Sequence, residues 1–357
     1  MDFLFSNLPP VRTDYPEFSD IFYSLIKEAN RLDIAVGYIT ADSLAELKQM
    51  VAYNKNIEIL NLIIGMHYWD KFTAHEYNAA LKLNEFLQGE KRGEVRLVTP
   101  FRFHGKLYSY SNAGGAFAGI IGSNNLSSIL DNRTRIYEAS AVMREQEYAE
   151  KLLAFIEKLK NDATDNIIDC NINESDFRKT NTRLDNHEEV SEISENELAD
   201  IISSLTNIKF KIPLVKNGKV PPGSNLNCYF GKGRLNTTTG VMKPRHWYEV
   251  ELMVPKTITD NPDYPKKDTP TAIFDVVTDD RFKFKCYVSG DFSKNFRSDG
   301  DLKILGRWIK GRLENKGALE IGELVTPETF TRYRRDDFTL TKTTIPNLWY
   351  LNFGENE

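Results

Sequence analysis

The chain contains little cysteine and no long apolar segment. Three cysteines (Cys170, Cys228 and Cys286) stand far apart among 357 residues, without a CxxC pair, so neither a disulfide framework nor a zinc site is indicated. No apolar run approaches the roughly 18 residues that cross a bilayer. Residues 1–18 lack the basic region and apolar stretch of a signal peptide. These absences predict a protein of the reducing cytoplasm with no membrane partner.

A net positive charge is also lacking. The formal net charge is −5 at pH 7, which taken alone disfavours nucleic acid as a partner. Residues 1–160 hold 18 Lys+Arg and 20 Asp+Glu, residues 161–200 hold 3 and 12, and residues 201–357 hold 25 and 19. This asymmetry predicts a near-neutral domain, an acidic connector and a basic domain that binds a polyanion. Ordinary variation among solvated surfaces gives the same counts, so that alternative stays open.

Hydrophobic periodicity predicts an α/β domain in the first part of the chain. Strand-like segments lie at 32–39, 57–65, 94–99, 106–110, 115–122 and 138–143, and amphipathic helical segments lie at 41–54, 74–89 and 145–160. Strands and helices that alternate in this way build a layered domain around a largely buried sheet. We therefore expect an N-terminal α/β domain over residues 1–162.

The rest of the sequence differs in composition and hydrophobic pattern. Residues 163–200 are polar, acidic and poor in apolar side chains, and they predict a linker with at most one helix near its end. From about residue 205, short β-type segments alternate with Gly, Pro, Asn and Asp, and one helical stretch occurs at 301–317. The sequence therefore predicts a second, mainly β domain over residues 201–357.

One short stretch carries the groups that phosphodiester chemistry needs. His104 and Lys106 are two residues apart, and on a strand this spacing places both side chains on the same face. Lysine supplies charge to phosphate oxygens, and histidine supplies a nucleophile or a proton donor. A Gly-Ser-Asn-Asn turn follows at 122–125, where Ser123 and Asn125 offer hydroxyl and amide donors. Each motif alone is common, but the two in order, with Glu138 beyond to orient the histidine, predict a catalytic site.

These residues resemble the phospholipase D superfamily, in which HxK is followed by GSxN and a downstream glutamate. The resemblance implies that His104 is the nucleophile that forms a phosphohistidine, that Lys106, Ser123 and Asn125 bind phosphate, and that Glu138 supports the histidine. Ser111 stands where an aspartate is usual, and the gap before GSxN is longer than typical. Both departures are tolerated in the nuclease branch of the superfamily.

The HxK motif occurs once in this chain. Superfamily members build one active site from two such motifs, so the resemblance implies a homodimer through the N-terminal domain, with one composite site at a two-fold axis. It also implies that no metal and no other cofactor is required, because two histidines and two lysines do the work of a divalent ion.

Two polar stretches of the basic domain, at 221–250 and 289–313, are rich in groups that hydrogen-bond bases and phosphates. The candidate DNA-binding residues are Ser224, Asn225, Asn227, Lys232, Arg234, Arg245, Lys294, Asn295 and Arg297. For each of them an ordinary polar loop residue is an equally good interpretation. His246 is interpreted as structural or phosphate-contacting.

The two stretches, together with a late YRRDDFTLTK segment, resemble the C-terminal domain of phospholipase-D-type restriction endonucleases of the BfiI and NgoFVII type. The resemblance covers essentially the whole chain, and it implies a phospholipase-D-like nuclease fold followed by a B3-like pseudobarrel that grips the DNA major groove with two arms. It further implies a metal-independent, site-specific type II enzyme of the bacterial cytoplasm that cuts double-stranded DNA.

Two alternatives stay open at this stage. The first is a non-specific phosphodiesterase or nuclease of the phospholipase D superfamily, which would need no basic second domain. The second is a DNA-binding regulator with an inactive nuclease domain, which the presence of His104, Lys106, Asn125 and Glu138 disfavours. A site-specific nuclease endangers its own host, so we also expect a functional pairing with a DNA methyltransferase.

Overall fold

The computed structural model describes residues 1–130, 136–178, 184, 187–237 and 240–354. The chain divides into two compact units. The first comprises Met1–Thr180 with Gly233–Pro244, and the second comprises Asn181–Lys232 with Arg245–Glu357. Within the described ranges, none of the helices is both long and apolar enough to cross a membrane.

In the described part of the first unit, eight strands form one mixed sheet in the order β1-β7-β6-β5-β2-β3-β4-β8. They are β1 (Asp2–Phe5), β2 (Arg31–Val36), β3 (Ile59–Ile64), β4 (Gly93–Val98), β5 (Lys106–Asn112), β6 (Gly115–Gly122), β7 (Ala139–Met143) and β8 (Thr164–Asn166). Strands β2, β3 and β4 run parallel to one another, and the other neighbouring pairs are antiparallel. The strand that begins at Lys106 therefore lies in the middle of the sheet.

Helices cover this sheet, and the predicted α/β class is confirmed. They are α1 (Phe18–Ile26), α2 (Ala41–Tyr53), α3 (His67–Asp70), α4 (Ala74–Gly89) and α5 (Gln146–Ala163). Thr40 and Thr73 begin α2 and α4 with capping boxes, which satisfy backbone N–H groups at each helix start. Helix α5 packs Leu152 and Ile156 onto Ala35 of β2, and this packing explains why the central strands read as continuous apolar runs.

The second unit is mainly β, as predicted. Its described strands form a sheet in the order β10-β17-β18-β14-β15-β16-β13, with β9 beside β15. From residue 191 onward the strands are β9 (Ser191–Glu192), β10 (Leu205–Pro213), β11 (Arg234–Leu235), β12 (Met242–Lys243), β13 (Leu252–Met253), β14 (Ile273–Thr278), β15 (Phe282–Ser289), β16 (Asn295–Ser298), β17 (Asp337–Thr343) and β18 (Leu348–Asn352). The helices are α6 (Glu195–Ser203), α7 (Lys256–Thr259), α8 (Lys303–Asn315) and α9 (Pro327–Tyr333). Among the described strands, β11 and β12 pair only with each other, in the hairpin that groups with the first unit.

The acidic connector holds more structure than the single helix expected near its end. That helix is α6, but β8 adds a strand to the first sheet and β9 adds one to the second. His187 is buried, and its Nε2 lies 3.0 Å from the Asp301 carboxylate. Strand pairing and a buried polar pair need few apolar residues, so composition did not reveal them.

Candidate active site

The site lies at one edge of the first sheet, where β2, β3 and β6 end and β5 and β7 begin. The backbone just before β5 comes very close to the end of β3: a Cβ atom at Gly65 would lie 2.0 Å from the Phe103 carbonyl oxygen. At the end of β2, a Cβ atom at Gly37 would lie 3.3 Å from His104 Cδ2. Glycine at both positions therefore lets the HxK segment approach the neighbouring strand ends.

His104 and Lys106 are buried to very different extents. The imidazole is exposed, whereas Lys106 is 5% exposed. The Lys106 ammonium donates a hydrogen bond of 2.7 Å to the His104 carbonyl oxygen and lies 3.1 Å from both ring nitrogens. Burial lowers the pKa of Lys106, and the nearby Glu138 carboxylate opposes that shift. The pair thus presents an imidazole ring to solvent with a buried amine directly beside it.

The turn that ends β6 places Ser123 and Asn125 beside this pair. Asn124 between them is buried, where its carbonyl oxygen accepts a hydrogen bond of 2.9 Å from the Tyr108 hydroxyl. Asn125 Oδ1 accepts a hydrogen bond of 3.0 Å from the Tyr38 backbone N–H. Because the amide oxygen of Asn125 is used in this way, its NH₂ group is oriented as a donor.

Glu138 stands directly before β7. The Glu138 backbone N–H donates a hydrogen bond of 2.9 Å to the Ser6 hydroxyl oxygen. The Glu138 carbonyl oxygen accepts a hydrogen bond of 3.0 Å from the Ser6 backbone N–H. The Glu138 carboxylate accepts a hydrogen bond from Ser123 Oγ. Among the described residues, no hydrogen bond joins Glu138 to His104. The structure thus places all five predicted catalytic residues at one edge of the sheet, with Glu138 bonded to Ser123 rather than to the histidine.

Ser111, the position of the usual aspartate, lies away from this edge. It is near the other end of β5, opposite Arg31 of β2, and it is buried. At about 3.3 Å per strand residue, it stands roughly 17 Å from Lys106. The residue at position 111 therefore does not contribute to this arrangement.

Tyr38 is a residue at the site that the motifs did not reveal. It follows β2 and Gly37, and its ring packs edge-to-face with His104 at a centroid distance of 5.7 Å. Its hydroxyl donates to Asp70 at 2.7 Å. The only sequence clue was its position just after a predicted buried strand, next to a glycine.

The donor set also bears on metal binding. Among the described residues, no group of three or more His, Cys, Asp or Glu side chains is arranged to hold a metal ion. At the site itself, Lys106 is buried and feels the charge of the Glu138 carboxylate, and its positive form would repel a divalent cation.

The predicted DNA-binding residues differ widely in accessibility. Ser224, Lys232 and Arg234 are exposed, whereas Asn225, Arg245, Lys294, Asn295 and Arg297 are half-buried. Arg297 packs over the Tyr287 ring at 5.2 Å. Arg245 donates to Glu249 at 2.7 Å. His246 is buried, and its Nδ1 accepts from the Tyr248 N–H, in keeping with a structural role.

Asn227 is at odds with the prediction of a base contact. It is 0% exposed. Its amide donates to the Pro221 and Val325 carbonyl oxygens and accepts from the Val325 N–H, each at 2.9 Å. A buried amide whose donors and acceptor are bonded in this way holds the loop together, so we remove Asn227 from the candidate DNA contacts.

Arg234 lies in a different setting from the other candidates. It is on β11, opposite Lys243 of β12, in the hairpin that groups with the first unit. The Asn54 side chain at the end of α2 makes two hydrogen bonds to the Met242 backbone, of 2.9 and 3.2 Å. The single long polar loop expected over 221–250 is therefore divided, and its middle part packs on the first unit.

Two family models match the chain. Residues 17–176 match the NgoFVII restriction endonuclease N-terminal PLD domain, and residues 200–344 match the NgoFVII C-terminal B3-like DNA-binding domain. These matches confirm the predicted phospholipase-D-like and B3-like folds. No curated protein matches by sequence.

Two solved structures, among others, are similar to part of the chain. One is phosphatidylserine synthase from Haemophilus influenzae Rd KW20, with 17% identity, a TM-score of 0.32 and coverage of 46% of this chain and 39% of that one. The other is TrmBL2, an archaeal chromatin protein, with 10% identity, a TM-score of 0.28 and coverage of 46% and 53%. The matched region thus spans about two fifths of the first protein and about half of the second.

Proposed function

The chain belongs to the family of NgoFVII restriction endonucleases, and we propose that it cuts double-stranded DNA without a metal ion, through a phosphohistidine formed on His104. The observation that carries this proposal is the exposed His104 ring with the Lys106 amine 3.1 Å from its nitrogens. Asn125 lies beside them as a further donor to phosphate oxygens, and Ser123 becomes one when its hydroxyl turns from Glu138 to the phosphate.

Two steps account for the chemistry. A ring nitrogen of His104 attacks the phosphorus, a P–N bond forms, the P–O bond to the leaving nucleotide breaks, and His104 of the partner subunit donates the proton to the leaving oxygen. Water then attacks the phosphohistidine, a P–O bond forms, the P–N bond breaks, and His104 of the partner subunit takes the water proton. Lys106 stabilises the negative charge on the non-bridging oxygens in both steps.

The need for a second histidine supports a homodimer. The sequence holds one HxK motif, and one histidine cannot be both the attacking nucleophile and the proton donor in the same step. A two-fold axis next to the site edge brings two such histidines to one phosphate. With one composite site per dimer, the two DNA strands are cut one after the other.

The DNA-binding domain selects the site. The accessible candidates for contact with bases and phosphates are Ser224, Asn225, Lys232, Arg234, Arg245, Lys294, Asn295 and Arg297. A host that makes such a nuclease protects its own sites, so a DNA methyltransferase is the expected functional partner.

Cleavage of plasmid DNA in EDTA tests the proposal. We expect discrete fragments from the wild-type protein, no cleavage by His104→Ala with DNA binding retained, and full activity from the control His75→Ala on α4. A smear of fragments would instead indicate a non-specific phosphodiesterase. No cleavage by the wild-type protein, with or without added metal, would indicate a DNA-binding regulator.

A further inference from the structure

We propose that Tyr38 is a positioning residue that holds the His104 ring in the orientation needed for attack on phosphorus. This inference rests on the proposed function, because it assigns Tyr38 to the nucleophile named there.

An exposed nucleophile needs a neighbour that restricts its rotation. His104 is exposed, and a histidine side chain rotates about two bonds unless packing restrains it. A nucleophile that rotates freely spends little time in a near-attack geometry. Glu138, the expected support, is bonded to Ser123 within the same chain. Lys106 contacts the two ring nitrogens, so a second group is needed to restrain the carbon face of the ring.

Tyr38 meets this need by direct contact. Its ring packs edge-to-face with His104 at a centroid distance of 5.7 Å and an interplanar angle of 79°. It packs in the same manner with His67, at 5.6 Å and 80°. His67 is buried, and its Nε2 accepts from the Ile39 backbone N–H at 3.2 Å. The Tyr38 ring therefore rests on a fixed neighbour and contacts the reactive ring as well.

The hydroxyl end of Tyr38 is also anchored. It donates to Asp70 Oδ2 at 2.7 Å, and Arg102 Nε donates to Asp70 Oδ1 at 3.2 Å. The hydrogen bond to Asp70 is the main cause that raises the pKa of Tyr38, and the same bond lowers the pKa of Asp70. At neutral pH the tyrosine is thus a neutral donor to an ionised acceptor, which is a strong arrangement.

Tyr38 also connects the nucleophile to the phosphate-binding turn. Its backbone N–H donates to Asn125 Oδ1 at 3.0 Å, so one residue contacts the imidazole through its ring and Asn125 through its backbone. Gly37 completes the contact surface, because a Cβ atom there would come within 3.3 Å of His104 Cδ2 and of Met66 Cγ.

Single-turnover cleavage by three variants tests the inference. Tyr38→Leu removes the ring but keeps the backbone N–H to Asn125, and we expect a rate about 10- to 100-fold lower, with an unchanged Kd for DNA. Tyr38→Phe keeps the ring, and we expect it to restore the rate to within about threefold of wild type. Tyr148→Leu, an exposed tyrosine on α5, is the control and should cleave normally.

The possible outcomes distinguish the role of Tyr38 from the proposed function on which it rests. A wild-type rate for Tyr38→Leu overturns the inference, and so does a Tyr38→Phe rate as low as that of Tyr38→Leu, because the hydroxyl rather than the ring would then matter. If Tyr38→Leu does not fold, Tyr38→Met decides: a rate about tenfold below that of Tyr38→Phe supports the inference, and a rate equal to that of Tyr38→Phe overturns it. Cleavage by His104→Ala would instead overturn the proposed function.

Discussion

At the residue scale, Lys106 shows how a charged group can be held beside the proposed nucleophile, His104. It is 5% exposed, and burial lowers its pKa. A buried amine is costly to charge. Once charged, it attracts an approaching phosphate strongly, because the local dielectric constant is low. The cost in stability and the benefit to catalysis thus have the same physical origin.

Replacement of Lys106 by methionine separates these two effects. We expect Lys106→Met to lower the single-turnover rate roughly 10²- to 10³-fold, the usual effect of losing one donor to the transition state. The free energy of unfolding should not fall, because an apolar side chain of similar length replaces a buried amine. Lys151→Met, at an exposed lysine of α5, is the matched control. Cleavage by Lys106→Met within tenfold of wild type would contradict a role for Lys106 at the phosphate.

At the element scale, helix α8 supports the end of the polar stretch 221–250. Lys310 of α8 is 0% exposed, donates to the Trp247 carbonyl oxygen at 2.6 Å and lies 3.8 Å from the centroid of the Trp247 ring. One turn later, Glu314 accepts from Trp247 Nε1 and from the Tyr248 hydroxyl, each at 2.8 Å. The helix thereby fixes the backbone that precedes β13.

The buried Lys310 predicts a pH dependence of stability. Burial lowers its pKa to about 7, against the opposing effect of Glu314, whereas the unfolded chain keeps a lysine pKa near 10.4. Between pH 7 and 8.5 the unfolded state therefore binds more protons than the folded state, so stability increases with pH. We expect a rise of roughly 1–2 kcal/mol in the free energy of unfolding of the second unit over this range.

Tryptophan fluorescence can follow this transition in denaturant. Trp247, Trp308 and Trp349 lie in the second unit. In Lys310→Met the rise with pH should be absent, whereas Lys158→Met, at an exposed lysine of α5, should keep it. The range stops at pH 8.5 because the thiols of Cys228 and Cys286, whose pKa values burial raises, act in the opposite direction near pH 9. An equal rise in Lys310→Met and wild type would show that another group is responsible.

At the scale of the whole molecule, the proposed mechanism makes catalysis a property of two chains, because the sequence holds a single HxK motif. If each composite site needs two His104 side chains, only dimers with two wild-type chains are active. Wild-type and His104→Ala chains are denatured together in equal amounts and refolded. At the same total chain concentration, the activity should then be about one quarter of that of wild-type protein refolded alone.

The mixing experiment has a matched control and one outcome that would contradict the dimeric mechanism. Mixing with His75→Ala chains should leave activity unchanged. A fall to one half, in proportion to the wild-type fraction, would mean that each chain carries a complete site, and the dimeric mechanism would be wrong.

The amino-acid sequence alone determined the features that depend on near neighbours in the chain. The spacing of His104 and Lys106 predicted both on one side of the chain where β5 begins, because side-chain direction alternates along an extended backbone. Apolar periodicity located the strands β2 to β7 and the helices α2, α4 and α5 of the first unit, but it missed β1, β8, α1 and α3. The change in composition near residue 205 indicated the β-rich unit. Helix α8 falls within the predicted range 301–317.

Only the tertiary structure decided which distant groups meet. Tyr38 and Asn125 are 87 positions apart, and His187 and Asp301 are 114 apart, so no local pattern could pair them. The burial of Asn227 depends on Val325, 98 positions away. Motif spacing specifies which chemical groups lie near one another along the backbone. The packing of separate elements determines which of these groups make contact and how deeply they are buried. It is this packing that brings Ser123 into contact with Glu138 and Tyr38 into contact with His104.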